Sequence, residues 1–349
     1  MMGAAEGDSM NFGLIVSKQH PPGVSMVDRF REHVEQVRAA RDAGFDLIVM
    51  GQHFLSTPFQ EVQSLPALAR LAADAGTMRV GATVILLPLL NPVDVAEQVA
   101  TLDVITEGRF IFGVGLGYRD EENEAFGIAP KERVGRLVEG LEVIKRLWSG
   151  DEVTHHGRFF HLTRARMMLR PVQRPHPPIW FAANNDAAVV RAARLGDAWV
   201  INPHAKLAIL ERQMGVYRQA LREAGRPFPA ELPIIKELYV ASDRRTALQE
   251  CRPFLEAKYK AYASWGQDKA LPEGDSFAHE FEELVADRFI VGDPDDAVRE
   301  IKRYAERLGV NSFIFRVQWP GMEQAKVLRT IELLATRVFP ALRALAWGA

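Results

Sequence analysis

The sequence predicts an α/β protein, a (β/α)8 TIM barrel with insertions. Three observations predict it. Strand-like and helix-like stretches alternate about eight times in one chain, without a break in composition. Residues 79–127 read as strand, helix, strand and glycine-rich loop, a βαβ unit that implies parallel strands and a right-handed crossover. The 349 residues exceed the ~250 of an ordinary barrel by roughly 100, which leaves room for insertions. A doubly wound open sheet is the alternative built from the same elements.

The elements follow in order. Residues 1–9 are acidic and lack an apolar core, so they read as a frayed tail, and a single domain is expected over 10–349. Residues 11–17 are the first strand, a Pro-Pro-Gly loop follows, and 27–42 carry apolar residues at helical spacing up to Gly44. Residues 45–50 (FDLIVM) are the second strand, ending in Gly51, Gln52, His53 and Phe54. Residues 65–75 are a helix. Residues 80–87 are an apolar, β-branched third strand, stopped by Pro88. Asn91 caps a helix that starts at Pro92 and ends before Gly108. Residues 109–114 are the fourth strand and run into Gly113, Gly115 and Gly117. On spacing alone that loop is either a tight βα turn or a ligand cradle.

Residues 121–130 read as a polar loop and 131–148 as an amphipathic helix. Residues 151–162 alternate and suggest a hairpin, and the proline-rich run 171–178 is an extended connector. Strands at 179–183, 198–201, 233–241 and 310–317 alternate with helices at 186–195, 206–224, 243–265 and 294–308, and 322 to the end is helical. A further short strand-like run spans 288–292. Insertions are expected at 119–130, 150–178 and 250–290, the last a candidate lid over the barrel mouth.

Composition excludes several classes. The net charge of −2 gives no basic surface for nucleic acid. No apolar run reaches the ~20 residues needed to span a bilayer. One cysteine, Cys251, rules out a disulfide within the chain and argues against a cysteine metal site. His155, His156 and His161 have no metal-ligand spacing, so no metal is expected. Cytoplasm is the expected compartment.

Residue types in the loops carry more than spacing. The string LPLLNPVDVAEQVATLDVITEGRFIFGVGLGY, then AFG and an arginine-bearing helix, resembles the luciferase-like monooxygenase family. GFDLIVMGQHF, RPVQRPHPPIWFAANN, AARLGDAWV and VGDPDDAVREIKRYAERLGVNSFIFRVQWPGM extend the resemblance over nearly the whole chain. It implies a luciferase-like eight-stranded barrel, often a homodimer. It implies reduced FMN or a reduced deazaflavin bound at the strand C-termini. Flavin members insert one atom of dioxygen into a substrate, with FMN reduced by a separate flavin reductase. Deazaflavin members transfer hydride without oxygen.

By position, the resemblance makes Thr83-Val84 a cis peptide behind the cofactor ring. It makes His53 a catalytic candidate, with hydrogen bonding that only shapes the pocket as the alternative. Gly115, Gly117, Tyr118, Asn184 and Asn185 are candidates for cofactor binding, although Asn184 and Asn185 equally read as a helix cap. Arg119 is a possible helper. Phe12, Gln52, Phe54 and Trp319 are candidate substrate-pocket residues. Leu116 stands where bacterial luciferase has its phosphate-anchoring arginine, and Asn184, Asn185 and Ala188 replace its Glu-Ser pair and threonine.

Among the strand polar residues, one each of Lys236/Glu237 and Arg316/Gln318 points inward, which predicts an internal ion pair. The expected function is an FMNH2-dependent monooxygenase acting on a small organic substrate. A deazaflavin-dependent dehydrogenase is the first alternative and a non-catalytic flavin-binding barrel the second.

Overall fold

Apolar alternation in the strands wraps them into a closed ring. The computed structural model describes residues 10–267, 271, 277 and 280–345. The expected tail and part of the expected 250–290 lid therefore lie outside the described residues. The barrel strands are β1 (Asn11–Ile15), β2 (Leu47–Met50), β3 (Arg79–Leu86), β4 (Phe110–Gly115), β5 (Ile179–Ala182), β6 (Ala198–Val200), β7 (Pro233–Val240) and β8 (Ser312–Arg316). They are parallel, in the order β6-β5-β4-β3-β2-β1-β8-β7. The ring closes where Ile201 donates to the Ile235-bearing strand's Pro233 carbonyl at 2.9 Å and Ile235 donates back to Ile201 at 2.8 Å. The (β/α)8 TIM-barrel expectation holds.

Strand alternation sorts the side chains into two cores. Ile15, Leu47, Val49, Ile111, Trp180, Val200, Ile235 and Ile314 fill the barrel interior. Their neighbours, among them Phe12, Leu14, Ile48, Phe112 and Phe313, face outward into the larger core under the helices. Burying such side chains stabilises the fold by roughly 1.5–3 kcal/mol each, before the chain-ordering cost is set against it.

The helices are α1 (Met26–Asp42), α2 (Ser64–Ala72), α3 (Pro92–Ile105), α4 (Asp120–Ala125), α5 (Arg133–Ser149), α6 (Asp186–Leu195), α7 (Leu207–Glu223), α8 (Arg244–Ser264), α9 (Phe281–Val285), α10 (Pro294–Leu308), α11 (Gln324–Leu333) and α12 (Phe339–Arg343). Their starts follow the sequence signals. Asn91 Oδ1 accepts from Val93 N at 2.9 Å, with Pro92 in the first turn of α3. Asp293 and Asp296 form a reciprocal capping box on α10. No helix among the described residues is long and apolar enough to cross a membrane.

The insertions give one correction. Residues 121–130 are not a polar loop, since α4 occupies most of the first half and buries Glu122 and Asn123. The hairpin is present as Val153–His156 against His161–Ala165. A three-residue strand, Ile290–Gly292, pairs parallel with Leu238–Val240 and lengthens the β7 side of the barrel. Gln19–His20 pairs antiparallel with Gln60–Glu61 near the ends of β1 and β2, and this pair brings Lys18 and Glu61 together at 2.7 Å.

Candidate functional site

The C-terminal ends of the strands gather polar residues that the apolar barrel cannot accept lower down. At the end of β2, Gln52 ties two strands together. Its backbone N–H donates to Val84 O at 3.2 Å and its side-chain oxygen accepts from Leu86 N at 3.0 Å. That bracing sets His53 at the mouth. His53 Nδ1 lies 3.0 Å from Glu122 Oε1, and the same oxygen accepts from Phe54 N at 2.9 Å. Glu122 is buried in α4. A carboxylate only accepts, so the pair places the imidazole proton on Nδ1 and leaves Nε2 as the basic nitrogen. The ring packs edge-on to Tyr118 and tilted against Trp265.

Beside His53 lies a flat seat. The Thr83–Val84 peptide is cis, and the pairing of β3 with β4 shifts register across it. Val84 packs on the barrel interior below and on Leu86 and Leu89 at the rim. Next to it, β4 carries glycine at its last two inward positions, 113 and 115, above Ile111. A Cβ on Gly113 would stand 2.3 Å from Ala82 O, and one on Gly115 would stand 2.6 Å from Val84 Cγ2. Gly113 lets β4 approach the β3 backbone at Ala82, and Gly115 lets Val84 lie against it, so a larger residue at either position would displace the seat. The hydroxyls of Thr83 and Tyr118 are buried there without a hydrogen-bond partner. Burial, with Tyr262 and Glu122 nearby, pushes the Tyr118 phenol well above its ordinary value, so it stays a donor. An apolar face flanked by unsatisfied donors fits a planar heteroaromatic ring with polar edges, as in a flavin or deazaflavin.

The opposite side of the mouth is charged. Glu237 of β7 is wholly buried and pairs with Lys258 of α8, accepts from Trp319 Nε1 at 2.6 Å, and lies 3.6 Å from Arg316 Nε. Burial pushes the Glu237 carboxyl up, but Lys258 and Arg316 bring it below the ordinary carboxylate range. The last turns of α8 fold toward His53. Tyr262 and Trp265 stack with centroids 5.2 Å apart, and Trp265 Nε1 donates to Thr57 O at 2.8 Å.

Residues 10–312 match the luciferase-like monooxygenase family. The chain belongs to that family. It is 31% identical to an F420-dependent glucose-6-phosphate dehydrogenase of Nakamurella multipartita, over 88% of this chain and 91% of that one. It is 25% identical to the oxygenase component of a flavin-dependent trigonelline monooxygenase of Acinetobacter baylyi, over 89% of each chain. Among solved structures, monooxygenase RslO1 from Streptomyces bottropensis superposes with a TM-score of 0.86 at 26% identity, covering 95% of this chain and 99% of that one. The family's enzymes are oxidoreductases that work with a flavin or a deazaflavin.

Within this luciferase-like barrel, His53, Thr83, Val84, Gly115, Gly117 and Tyr118 come together around the β2–β4 end. Gln52 lies beneath them as a brace and not as a pocket wall. Phe54 turns sideways onto Phe126, with centroids 4.7 Å apart. Asn184 and Asn185 lie at the end of β5, and both side-chain oxygens are engaged. Asn185 Oδ1 caps α6 by accepting from Ala188 N at 3.0 Å, and Asn184 Oδ1 accepts from Asn202. Asp186 already places a carboxylate in that first turn, held by Arg212 at 2.6 Å. The helix-cap reading of Asn185 is therefore present, beside the first-turn carboxylate of Asp186.

Two pocket expectations are overturned. Phe12 faces outward, wholly buried, and stacks on Phe339 at 4.1 Å, because Gly13 and Ile15 take the inward positions of β1. Trp319 is buried behind Glu237 and supports that carboxylate. The expected internal ion pair is present, with Glu237 inward. Lys236 points outward onto the Tyr304 ring, its Nζ 3.9 Å from the centroid.

Sequence reasoning missed Glu122, Lys258, Tyr262 and Trp265. The helical signal was present for the last three, since Lys258, Tyr262 and Trp265 recur at helical spacing down one face of a helix that was correctly placed. For Glu122 the acidic run DEENEA carried no sign that one of its carboxylates turns inward.

Proposed function

We propose that this chain is a reduced-flavin-dependent monooxygenase that takes reduced FMN from a separate flavin reductase and oxygenates a small organic substrate. The observation that carries the reading is the juxtaposition of the glycine-floored seat on Val84 with the His53–Glu122 pair beneath the Tyr262–Trp265 stack. When bound, reduced FMN supplies the electrons with which dioxygen is activated and one oxygen atom is inserted. The chain's own residues do the rest. Val84, which Gly115 allows to lie against β4, would support one face of the ring. The Thr83 and Tyr118 hydroxyls would donate to its polar edge. His53 Nε2 takes up or releases the proton at the substrate side, while Glu122 fixes the ring through Nδ1. The end of α8 acts as the lid, and its aromatic stack excludes water. A homodimer, as the resemblance implies, is part of the proposal and is read directly by light scattering.

A second reading has its own support. Removing hydride from an alcohol requires a base for the hydroxyl proton, and a carboxylate-held imidazole is such a base. With the similarity to the Nakamurella dehydrogenase, this favours a deazaflavin-dependent dehydrogenase as the alternative.

The test is oxygen uptake by the protein with a flavin reductase, NADH and FMN across a panel of small ketones, aldehydes and aromatic compounds. The proposal expects substrate-dependent product with one oxygen atom from 18O2. Product only under anaerobic deazaflavin conditions, with no 18O incorporation, would replace it with the second reading.

A further inference from the structure

Arg119 has no part in the chemistry proposed above, yet its side chain is only 2% exposed. Its guanidinium touches three separate parts of the mouth. Nη1 donates to Phe54 O at 2.7 Å and Nη2 donates to Leu55 O at 3.1 Å, gripping the loop that follows His53. Nη1 also lies 3.8 Å from Glu122 Oε1, the oxygen paired with His53. Its central carbon stands 4.3 Å from the centre of the Trp265 ring. Trp265 in turn donates to Thr57 O, so the contacts run from the lid back to the same loop. The exposed Glu121 carboxylate pairs with Nη2 from outside. A planar fork meets all these demands at once, and a lysine ammonium cannot both stack and span two carbonyls.

We propose that Arg119 is a positioning residue that couples the seating of Trp265 over the mouth to the proton held by the His53–Glu122 pair. The coupling rests on the reading of His53 as the proton-transfer group and not on which flavin is bound. The guanidinium charge shares the Glu122 carboxylate with His53. Withdrawing it concentrates the carboxylate on the imidazole and favours the protonated ring. The other groups that face His53 are Tyr118 after β4, Trp265 at the end of α8, and Glu61, whose carboxyl is already paired with Lys18 at 2.7 Å. None of these depends on Arg119 for its charge.

The test uses the full chain without cofactor. Arg119→Met and Arg119→Lys are made in the parent and in a Trp265→Phe background. His53 is titrated by NMR, assigned with His53→Asn, and Trp265 exposure is read as acrylamide quenching relative to Trp265→Phe. In Arg119→Met the His53 midpoint is expected to rise by about half a pH unit or more. Trp265 quenching is expected to rise about two-fold as the ring loses its guanidinium cover. Arg119→Lys keeps a charge and is expected to expose Trp265 while moving the His53 midpoint less. Trp265→Phe is expected to shift the midpoint upward by itself, non-additively with Arg119→Met.

An unchanged His53 midpoint in Arg119→Met, or strictly additive shifts, overturns the coupling. If Arg119→Met does not fold, Arg119→Lys decides, and unchanged Trp265 quenching in that variant overturns the proposal. Because no flavin is present, these outcomes are separate from the outcome of the monooxygenase reading.

Discussion

His53 and Glu122 lie 69 residues apart in sequence and 3.0 Å apart at the mouth, and the proposed proton transfer is assigned to that contact. Glu122→Gln keeps the shape and one acceptor oxygen but removes the negative charge that supports and orients the ring. Turnover is expected to fall roughly 10–100-fold with little change in KM, and His53→Asn is expected to fall further, roughly 10²–10⁴-fold. Steady-state kinetics of the two variants checks both.

Lys236 offers a second residue-scale prediction, on stability. Burial on the outer face of β7 pushes its amine down from 10.5 to about 7, and its Nζ finds the Tyr304 ring but no hydrogen-bond acceptor. Between those values the unfolded chain holds a proton that the folded chain releases, so this group makes stability rise with pH across the window. Lys236→Met is expected to raise stability at pH 7 and below by about 1–4 kcal/mol, with the gain shrinking toward pH 10. Thermal melts across pH read it. The placement of His53 at a strand end was legible from the strand pattern, and its reading as a catalytic candidate came from the family resemblance. Glu122 was not, because a buried carboxylate on a short acidic helix is defined only by its distant partner.

At the scale of elements, β3 and β4 build the seat, and its floor depends on missing side chains. Gly115→Ala is expected to weaken cofactor binding at least about ten-fold, because the new Cβ meets Val84 Cγ2 at 2.6 Å, while the fold loses no more than about 1–3 kcal/mol. Flavin titration with a parallel melt separates the two effects. α6 carries the opposite expectation. Asn185→Ala removes a cap and should cost about 1 kcal/mol of stability while leaving cofactor affinity unchanged. Sequence pattern placed these elements well, since each has strong apolar periodicity or a cap. It could not set the parity of β1, where Phe12 and Gly13 compete for the interior, because parity is decided by what Leu47 and Ile314 leave free.

The whole molecule is a barrel whose apolar ring was legible from alternation and length, and whose mouth was legible only in halves. The β2–β4 side follows from motifs that lie close to strand ends. On the β7–β8 and α8 side the strand polar residues pointed to an internal ion pair, found at Glu237 and Arg316, but which residues of α8 close over them, Lys258 and Trp265 among them, is set by long-range packing. The two halves meet over one seat, and the central claim is that this seat takes reduced FMN. The measurement that tests it most directly is anaerobic equilibrium binding of FMN, FMNH2 and the deazaflavin cofactor to the same preparation. Micromolar or tighter binding of FMNH2, with the deazaflavin bound much more weakly, is the predicted result. Preferential binding of the deazaflavin would contradict it.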